Sequence, residues 1–282
     1  MLHRRAPAKI NLGLHVLRRR TDGYHDVETV LLPIGWADGL QASSGERLSL
    51  RCSDPALPTD DGNLVIRAAR ALAGEGGVEP SAALHLDKCV PYGAGLGGGS
   101  SDAAATLLLL TELWGLDIPD LRLHALAATL GSDVPFFLKA APAFATGRGE
   151  LLEELTTGGG ARYRLPFALV VAVPPVHVST AEAYRLVAPH DRPRPDLVAA
   201  VLSNDLDRWR RDLVNDFEAP ILQQHPEIAR AKAQLVEAGA GYAALSGSGA
   251  AVFGVFEDEG AAHIAAGALR AASCQTWVEA PG

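Results

Sequence analysis

Residues 91–101 read Pro-Tyr-Gly-Ala-Gly-Leu-Gly-Gly-Gly-Ser-Ser, with five glycines in the seven positions from Gly93 to Gly99. In front lies a stretch alternating at Leu84, Leu86, Lys88 and Val90, which predicts a strand. Behind it, Asp102 to Trp114 predicts a helix that stops at Gly115. A loop stripped of side chains lets backbone N–H groups approach an anion closely. A helix N-terminus behind such a loop adds about 0.3–2 kcal/mol per anion contact. Ser100, Ser101 and Asp102 are expected to cap that helix. The plain alternative is a ligand-free turn, but simple turns rarely need so many glycines directly before a helix. Gly93, Gly95 and Gly98 formally match G-x-G-x-x-G. The half-exposed alternation of the preceding strand argues against a dinucleotide fold, whose strands are buried on both faces. The P-loop ending in Gly-Lys-Ser/Thr and the signature loops of protein kinases are absent.

A chain of 282 residues, 48% hydrophobic, has room for two modest domains. Its 33 acidic residues against 25 Lys and Arg give a net charge of −8, which disfavours nucleic-acid binding. An anionic substrate therefore needs a local cationic pocket. Only four of the cations are lysines: Lys9, Lys88, Lys139 and Lys232. Cys52, Cys89 and Cys274 are scattered and odd in number, which fits a reducing cytoplasm rather than a disulfide framework. No zinc-type spacing occurs. The apolar N-terminal stretch is broken by Lys9, Asn11, Gly13 and His15, unlike a signal peptide. No run is long enough to span a membrane.

Strands are expected at 10–17 (half-buried, with Ile10, Leu12, Leu14 and Val16 inside), 26–34, 46–52 and 82–90, with a turn at Asp22-Gly23. A helix from Asn63 is expected to stop at Gly74, further helices cover about 119–130 and begin near Asp133, and strands lie around Phe144 and Leu151. The run Thr156-Thr157-Gly158-Gly159-Gly160 predicts a flexible connection dividing the chain into domains 1–157 and 158–282. Beyond it come a strand at 167–173, helices at 180–187, 196–202, 205–214 and 226–238, strands at 242–246 and 250–256, a helix at 258–271 and a strand at 274–279. Simplified, this is β-α-β-β-α-β, the ferredoxin-like split motif.

Three segments carry a resemblance. Pro91 to Ser101 resembles the second motif of the GHMP kinase superfamily, Pro7-Ala-Lys-Ile-Asn-Leu-Gly-Leu14 the first and Leu245-Ser-Gly-Ser-Gly-Ala250 the third, in the family's order and across nearly the whole chain. The resemblance implies an α+β fold of two domains, the N-terminal one ribosomal S5-like and the C-terminal one ferredoxin-like. It implies an enzyme that transfers the terminal phosphoryl group of ATP to an alcohol, with Mg2+. Further matches at 20–30 (RTDGYHDVETV), 61–72, 130–138 (LGSDVPFFL) and 215–218 (NDFE) point to the branch acting on a polyol joined through a diphosphate to cytidine. Homoserine, mevalonate or sugar kinases on the same fold, or an inactive nucleotide-binding relative, are the alternatives.

The resemblance also implies roles for particular residues. Pro91, Tyr92, Gly93, Ala94, Gly95, Leu96, Gly97, Gly98, Gly99, Ser100 and Ser101 would bind ATP, with Asn63 at the adenine end. Asp133 reads equally well as a helix cap, since Val134-Pro135 follows; the resemblance makes it the general base. Lys9 on a strand would ordinarily snorkel to solvent; the resemblance makes it the partner of Asp133. At ~4 Å such a pair interacts by about 4 kcal/mol at an effective dielectric near 20. Asn11 shares the face of Lys9 by period two and would orient the acceptor hydroxyl, unless it simply faces solvent. Tyr24 and His25 after the turn would stack on and hydrogen-bond the cytosine, with Tyr184 closing the stack and Thr180 and Gly247 nearby. Arg18, Arg19 and Arg20 read as a solvated charge run; the alternative is attraction of the substrate's diphosphate. Ser101 is a candidate magnesium ligand; no matching glutamate is found.

Overall fold

The computed structural model describes residues 1–189 and 193–282. Two compact units interleave along the chain. The first comprises Met1–Ala8, Gly35–Tyr92 and Gly97–Ala140; the second comprises Lys9–Ile34, Gly93–Leu96 and Ala141–Gly282. Two long strands, β1 (Leu2–Arg19) and β2 (His25–Ser43), contribute residues to both.

In the first unit, the later half of β2 pairs antiparallel with β4 (Ala83–Asp87), Gly39 facing Asp87. Strand β4 in turn pairs parallel with β3 (Ser49–Cys52). Helix α1 (Leu64–Gly76) starts at Asn63, whose side chain accepts from Val65 N. It buries Val65, Ile66, Ala68, Ala69, Leu72 and Ala73 at helical spacing, much of it against α2 (Gly98–Leu113). It runs through Gly74, where a stop was expected, and ends at Gly77 in the left-handed conformation (φ 63°). Gly74 keeps ordinary helical geometry, so nothing there releases the chain. Helix α2 is buried on almost every side from Ser101 to Leu110. Helices α3 (Asp120–Leu130) and α4 (Val134–Phe137) complete the layer.

In the second unit, the early half of β2 pairs with β5 (Ala143–Thr146), which pairs with β6 (Leu151–Glu154). Glycines 158–160 do not form a loose tether: Thr157 N donates to Ala161 O at 2.8 Å and Gly160 N to Thr157 O at 2.8 Å, closing a tight turn. There follow β7 (Ala168–Val173), α5 (Thr180–Leu186), α6 (Leu197–Ser203), α7 (Leu206–Asp212), α8 (Glu218–Gln224), α9 (Pro226–Glu237), β8 (Tyr242–Leu245), β9 (Val252–Phe256), α10 (Glu259–Ala271) and β10 (Gln275–Glu279). The sheet order β10-β7-β9-β8, all antiparallel, is that of a ferredoxin-like split motif crossed by α9 and α10. One face carries Ala168, Val170 and Val252 against Ile228 and Leu235 of α9 and Ala262 and Leu269 of α10. On the other lies Trp209 of α7, edge-on to Tyr242 at 5.7 Å. With both faces covered, every residue of β7 is buried, which explains its unbroken apolar run.

Strand β1 departs from its expected half-burial. Residues 8–16 are all buried, including Lys9, Asn11 and His15. Alternation of polar and apolar side chains here separates two interiors, one apolar and one polar.

Candidate active site

The polar interior of β1 is a directional chain of hydrogen bonds within the second unit. Lys9 Nζ donates to Asn11 Oδ1 at 2.6 Å and to the carbonyl oxygen of Gly95 at 3.0 Å. Asn11 Nδ2 donates to Thr29 Oγ1 at 3.0 Å, and Thr29 Oγ1 donates to Gly13 O at 2.6 Å. Lys9, Asn11 and Thr29 are each at most 4% exposed. The snorkelling lysine and the solvent-facing asparagine are thereby set aside. An ammonium so deep must be paired and rigid, because burial of an unpaired charge is costly. Thr29 was not singled out in the sequence; a polar residue on the strand opposite Asn11 was its only signal.

The first part of the glycine-rich loop, residues 93–96, belongs to this unit. Lys9 N donates to Leu96 O and Ala251 N to Ala94 O, each at 2.9 Å. Gly95 has φ +77°, and a Cβ there would stand 2.2 Å from Ser246 O, so no larger residue fits. Ser246 Oγ donates to Gly95 O at 3.1 Å. The loop at 246–249 is pinned from beneath by Asn215, whose Nδ2 donates to Leu245 O and Gly247 O at 2.9 Å while its Oδ1 accepts from Phe217 N. Asp216 next to it accepts from Val16 N at 2.7 Å and pairs with Arg194 at 2.8 Å. The NDFE run thus fixes a loop, a role its composition did not disclose.

Residues 97–101 belong to the first unit. Helix α2 begins earlier than expected, at Gly98, with Gly97 as its cap in the left-handed conformation (φ 72°) and no side-chain cap. Ser100, Ser101 and Asp102 lie inside the helix rather than at its cap. Glycine can turn the chain tightly without a side chain, so the first N–H groups of the helix are left to other acceptors. The hydroxyl of Ser101 is buried and has no hydrogen-bond partner. Beneath the loop, Lys88 Nζ pairs with Asp38 Oδ2 at 2.5 Å and with Asp102 Oδ2 at 2.8 Å. Asp38 Oδ1 also accepts from Cys89 N and Val90 N, tying the chain just after β4 to β2. Burial opposes the charge on Lys88, but the carboxylates of Asp102 and Asp38 raise its pKa above the ordinary value. Burial pushes Asp102 up to about 7 against the pull of Lys88.

His25 and Tyr184 stack at 4.7 Å with an interplanar angle of 17°, and Phe217 backs Tyr184 edge-on at 4.9 Å. Tyr24, expected in that stack, is 54% exposed and lies under the Arg148 guanidinium at 5.0 Å. Burial, followed by the Arg19 cation, lowers the pKa of His25 and keeps its imidazole neutral at pH 7. Thr180 Oγ1 lies 3.3 Å from Ser248 Oγ. Arg18 and Arg20 are tied to Asp26 at 2.5 and 2.7 Å. Asp133 occupies the cap position of α4, yet its carboxylate makes no capping bond. Both ends of the Asn63 amide are engaged, accepting from Val65 N at 2.9 Å and donating to Pro58 O at 2.8 Å. No group of three or more His, Cys, Asp or Glu among the described residues could hold a metal ion, and none of their helices is long and apolar enough to cross a membrane.

The family model for the GHMP kinases N terminal domain matches residues 63–140, and that for the GHMP kinases C terminal matches residues 197–273. The 4-diphosphocytidyl-2-C-methyl-D-erythritol kinase of Salinibacter ruber is 53% identical over 272 residues, 96% of this chain and 95% of that protein. The chain belongs to the 4-diphosphocytidyl-2-C-methyl-D-erythritol kinase branch of the GHMP kinases. The enzyme of the same name from Chlorobium phaeobacteroides (strain BS1) is 46% identical over 90% of this chain and 88% of its own. A crystal structure of 4-(cytidine 5'-diphospho)-2C-methyl-D-erythritol kinase superposes with a TM-score of 0.82 at 37% identity, covering 100% of this chain and 99% of that one. Homoserine kinase from Cytophaga hutchinsonii shares the fold, with a TM-score of 0.69 at 18% identity over 98% of this chain and 94% of its own. The expected two-domain α+β kinase fold therefore holds.

Proposed function

We propose that this GHMP kinase uses ATP to phosphorylate the 2-hydroxyl of 4-diphosphocytidyl-2-C-methyl-D-erythritol, in the cytoplasm, as a step of the non-mevalonate route to isoprenoids. The observation that carries this reading is near full-length identity to enzymes of that name, 53% in Salinibacter ruber. Residues 1–157 are the proposed ATP-binding and catalytic part and 158–282 the ferredoxin-like part.

Phosphoryl transfer passes through a loose transition state, so positioning and charge stabilisation dominate. The glycine loop, Pro91 to Ser101, is the proposed phosphate cradle, with α2's uncapped N–H groups as donors to phosphate oxygens. Asn63 fixes the start of α1 at the adenine end. Asp133, at the start of α4, is the proposed acceptor of the hydroxyl proton. Lys9 is the proposed cation that stabilises charge in flight, held rigid through Asn11 and Gly95. Asn11 orients the acceptor hydroxyl. Tyr24, His25 and Tyr184 take the cytosine, and Thr180 and Gly247 line the acceptor. Mg2+ neutralises the β- and γ-oxygens of the nucleotide in such reactions. The partnerless buried hydroxyl of Ser101 fits one ligand position, with phosphate oxygens and water supplying the others.

The test is ADP release from Mg-ATP with the cytidyl substrate, mevalonate and homoserine in parallel. Turnover of the cytidyl compound alone is expected. Turnover of mevalonate or homoserine without it would reject the assignment, and tight ATP binding with no turnover on any acceptor would point to an inactive binder.

A further inference from the structure

The first unit contains a cavity of about 280 Å³ whose cations have no part in the proposed phosphoryl transfer. Arg4, Arg5 and Lys139 line it, with no carboxylate among its lining residues. In a chain of net charge −8, three cations with no acid around one concavity oppose the bulk sign. Like charges gathered without a counter-charge repel one another, so the arrangement favours an anion. Two buried polar atoms at the walls have no hydrogen-bond partner, Arg4 Nε and Ser101 Oγ. Leaving such groups unpaired is costly, and an oxyanion would satisfy both. Arg5 Nη2 donates to Gly35 O at 2.6 Å, which holds that guanidinium at the wall. The remaining wall is apolar, with Leu108, Phe137 and Leu138. The volume falls just below the range of about 300–1,000 Å³ usual for drug-sized ligands, so the occupant is small.

We infer that this cavity is a second ligand site, taking a phosphate or diphosphate ester with a short apolar tail. Guanidinium groups suit phosphate oxygens in paired, charge-assisted bonds, and Lys139 adds a point charge. Ser101 is also the candidate magnesium ligand, but the site does not depend on it, because the three cations supply the charge.

Calorimetric titration of the intact enzyme with inorganic pyrophosphate, under a saturating non-hydrolysable ATP analogue, tests the site. Binding is expected to persist, and Arg4→Gln and Lys139→Gln should each weaken it by roughly tenfold while leaving turnover of ATP unchanged. Butyl diphosphate should bind roughly tenfold more tightly than pyrophosphate by burying its tail. Loss of all pyrophosphate binding under the analogue, or unchanged affinity in both variants, overturns the site. Butyl diphosphate binding no tighter than pyrophosphate overturns the apolar end.

Discussion

Replacing Gly95 by alanine bears directly on the loop. At φ +77°, an added Cβ would meet Ser246 O at 2.2 Å and Gly249 N and O at 3.1 Å. The obstacles are backbone atoms, so no side chain can rotate away; the loop or the end of β8 must retreat by roughly 1 Å. The left-handed conformation costs an L-residue about 1–2 kcal/mol. Forcing extra volume into a packed site costs a further 1–3 kcal/mol or so. Together these predict a loss of about 2–5 kcal/mol, or a fall in Tm of roughly 5–15 °C for a chain of this length. The same retreat stretches the bonds from Lys9 Nζ (3.0 Å) and Ser246 Oγ (3.1 Å) to Gly95 O, so the KM for ATP should rise as well. Gly74→Ala is the control. That residue lies in α1 with nothing within 4 Å of an added Cβ, and alanine there should stabilise by about 0.5–1 kcal/mol. Thermal melts and ADP release against ATP concentration read both effects. A Gly95→Ala enzyme with wild-type Tm and wild-type KM would refute the steric argument.

Asp133→Asn should lower kcat by at least roughly 100-fold with ATP affinity intact, and an undiminished kcat would remove Asp133 as proton acceptor. His25→Ala, which breaks the stack on Tyr184, should raise the KM for the cytidyl substrate by roughly tenfold with kcat little changed; an unaltered KM would place the base pocket elsewhere. Lys88→Met leaves Asp38 and Asp102 buried without their cation and should cost about 3–5 kcal/mol by urea denaturation; a smaller loss than 1 kcal/mol or so would mean the network is not structural. Asp102 holds its proton up to about pH 7 in the folded state against 3.8 ordinarily. Its contribution to stability is thus complete below pH 3.8 and lost as pH rises through 7. Urea midpoints of wild type should therefore fall relative to Asp102→Asn between pH 4 and 8, and a constant gap would contradict the raised pKa.

The split β-α-β-β-α-β order was legible because its apolar runs and helix ends follow strong local rules, such as Gly239 after α9 and the Asp258 cap of α10. The glycine-rich loop before α2 was legible because its left-handed backbone at Gly93, Gly95 and Gly97 favours glycine. Strand β1 was misjudged because Lys9, Asn11 and His15 at alternate positions have the same pattern whether the polar face meets water or a buried site. The start of α2 was placed late because Ser and Asp are stronger capping signals than Gly97, whose left-handed turn needs no side chain. Asp38 and Thr29 escaped notice, and the role of Asn215 in the NDFE run went unread, because their partners lie far off in the chain: Asp38 with Cys89 and Val90, Thr29 with Asn11, Asn215 with Leu245 and Gly247. Pairings of that kind leave no periodic trace.

The interleaving of the two units governs how the polypeptide can mature. A ribosome delivers Met1–Ala8 first, yet their unit is not complete until Ala140 has emerged, and the unit that owns Lys9 must wait for the final strand, β10. No single proteolytic cut parts the two units cleanly, because a cut after Ala140 leaves Lys9–Ile34 and Gly93–Leu96 of the second unit on the first fragment. Synthesis therefore holds early strand segments unsatisfied through most of elongation, exposing apolar edges that nascent-chain chaperones would be expected to shield.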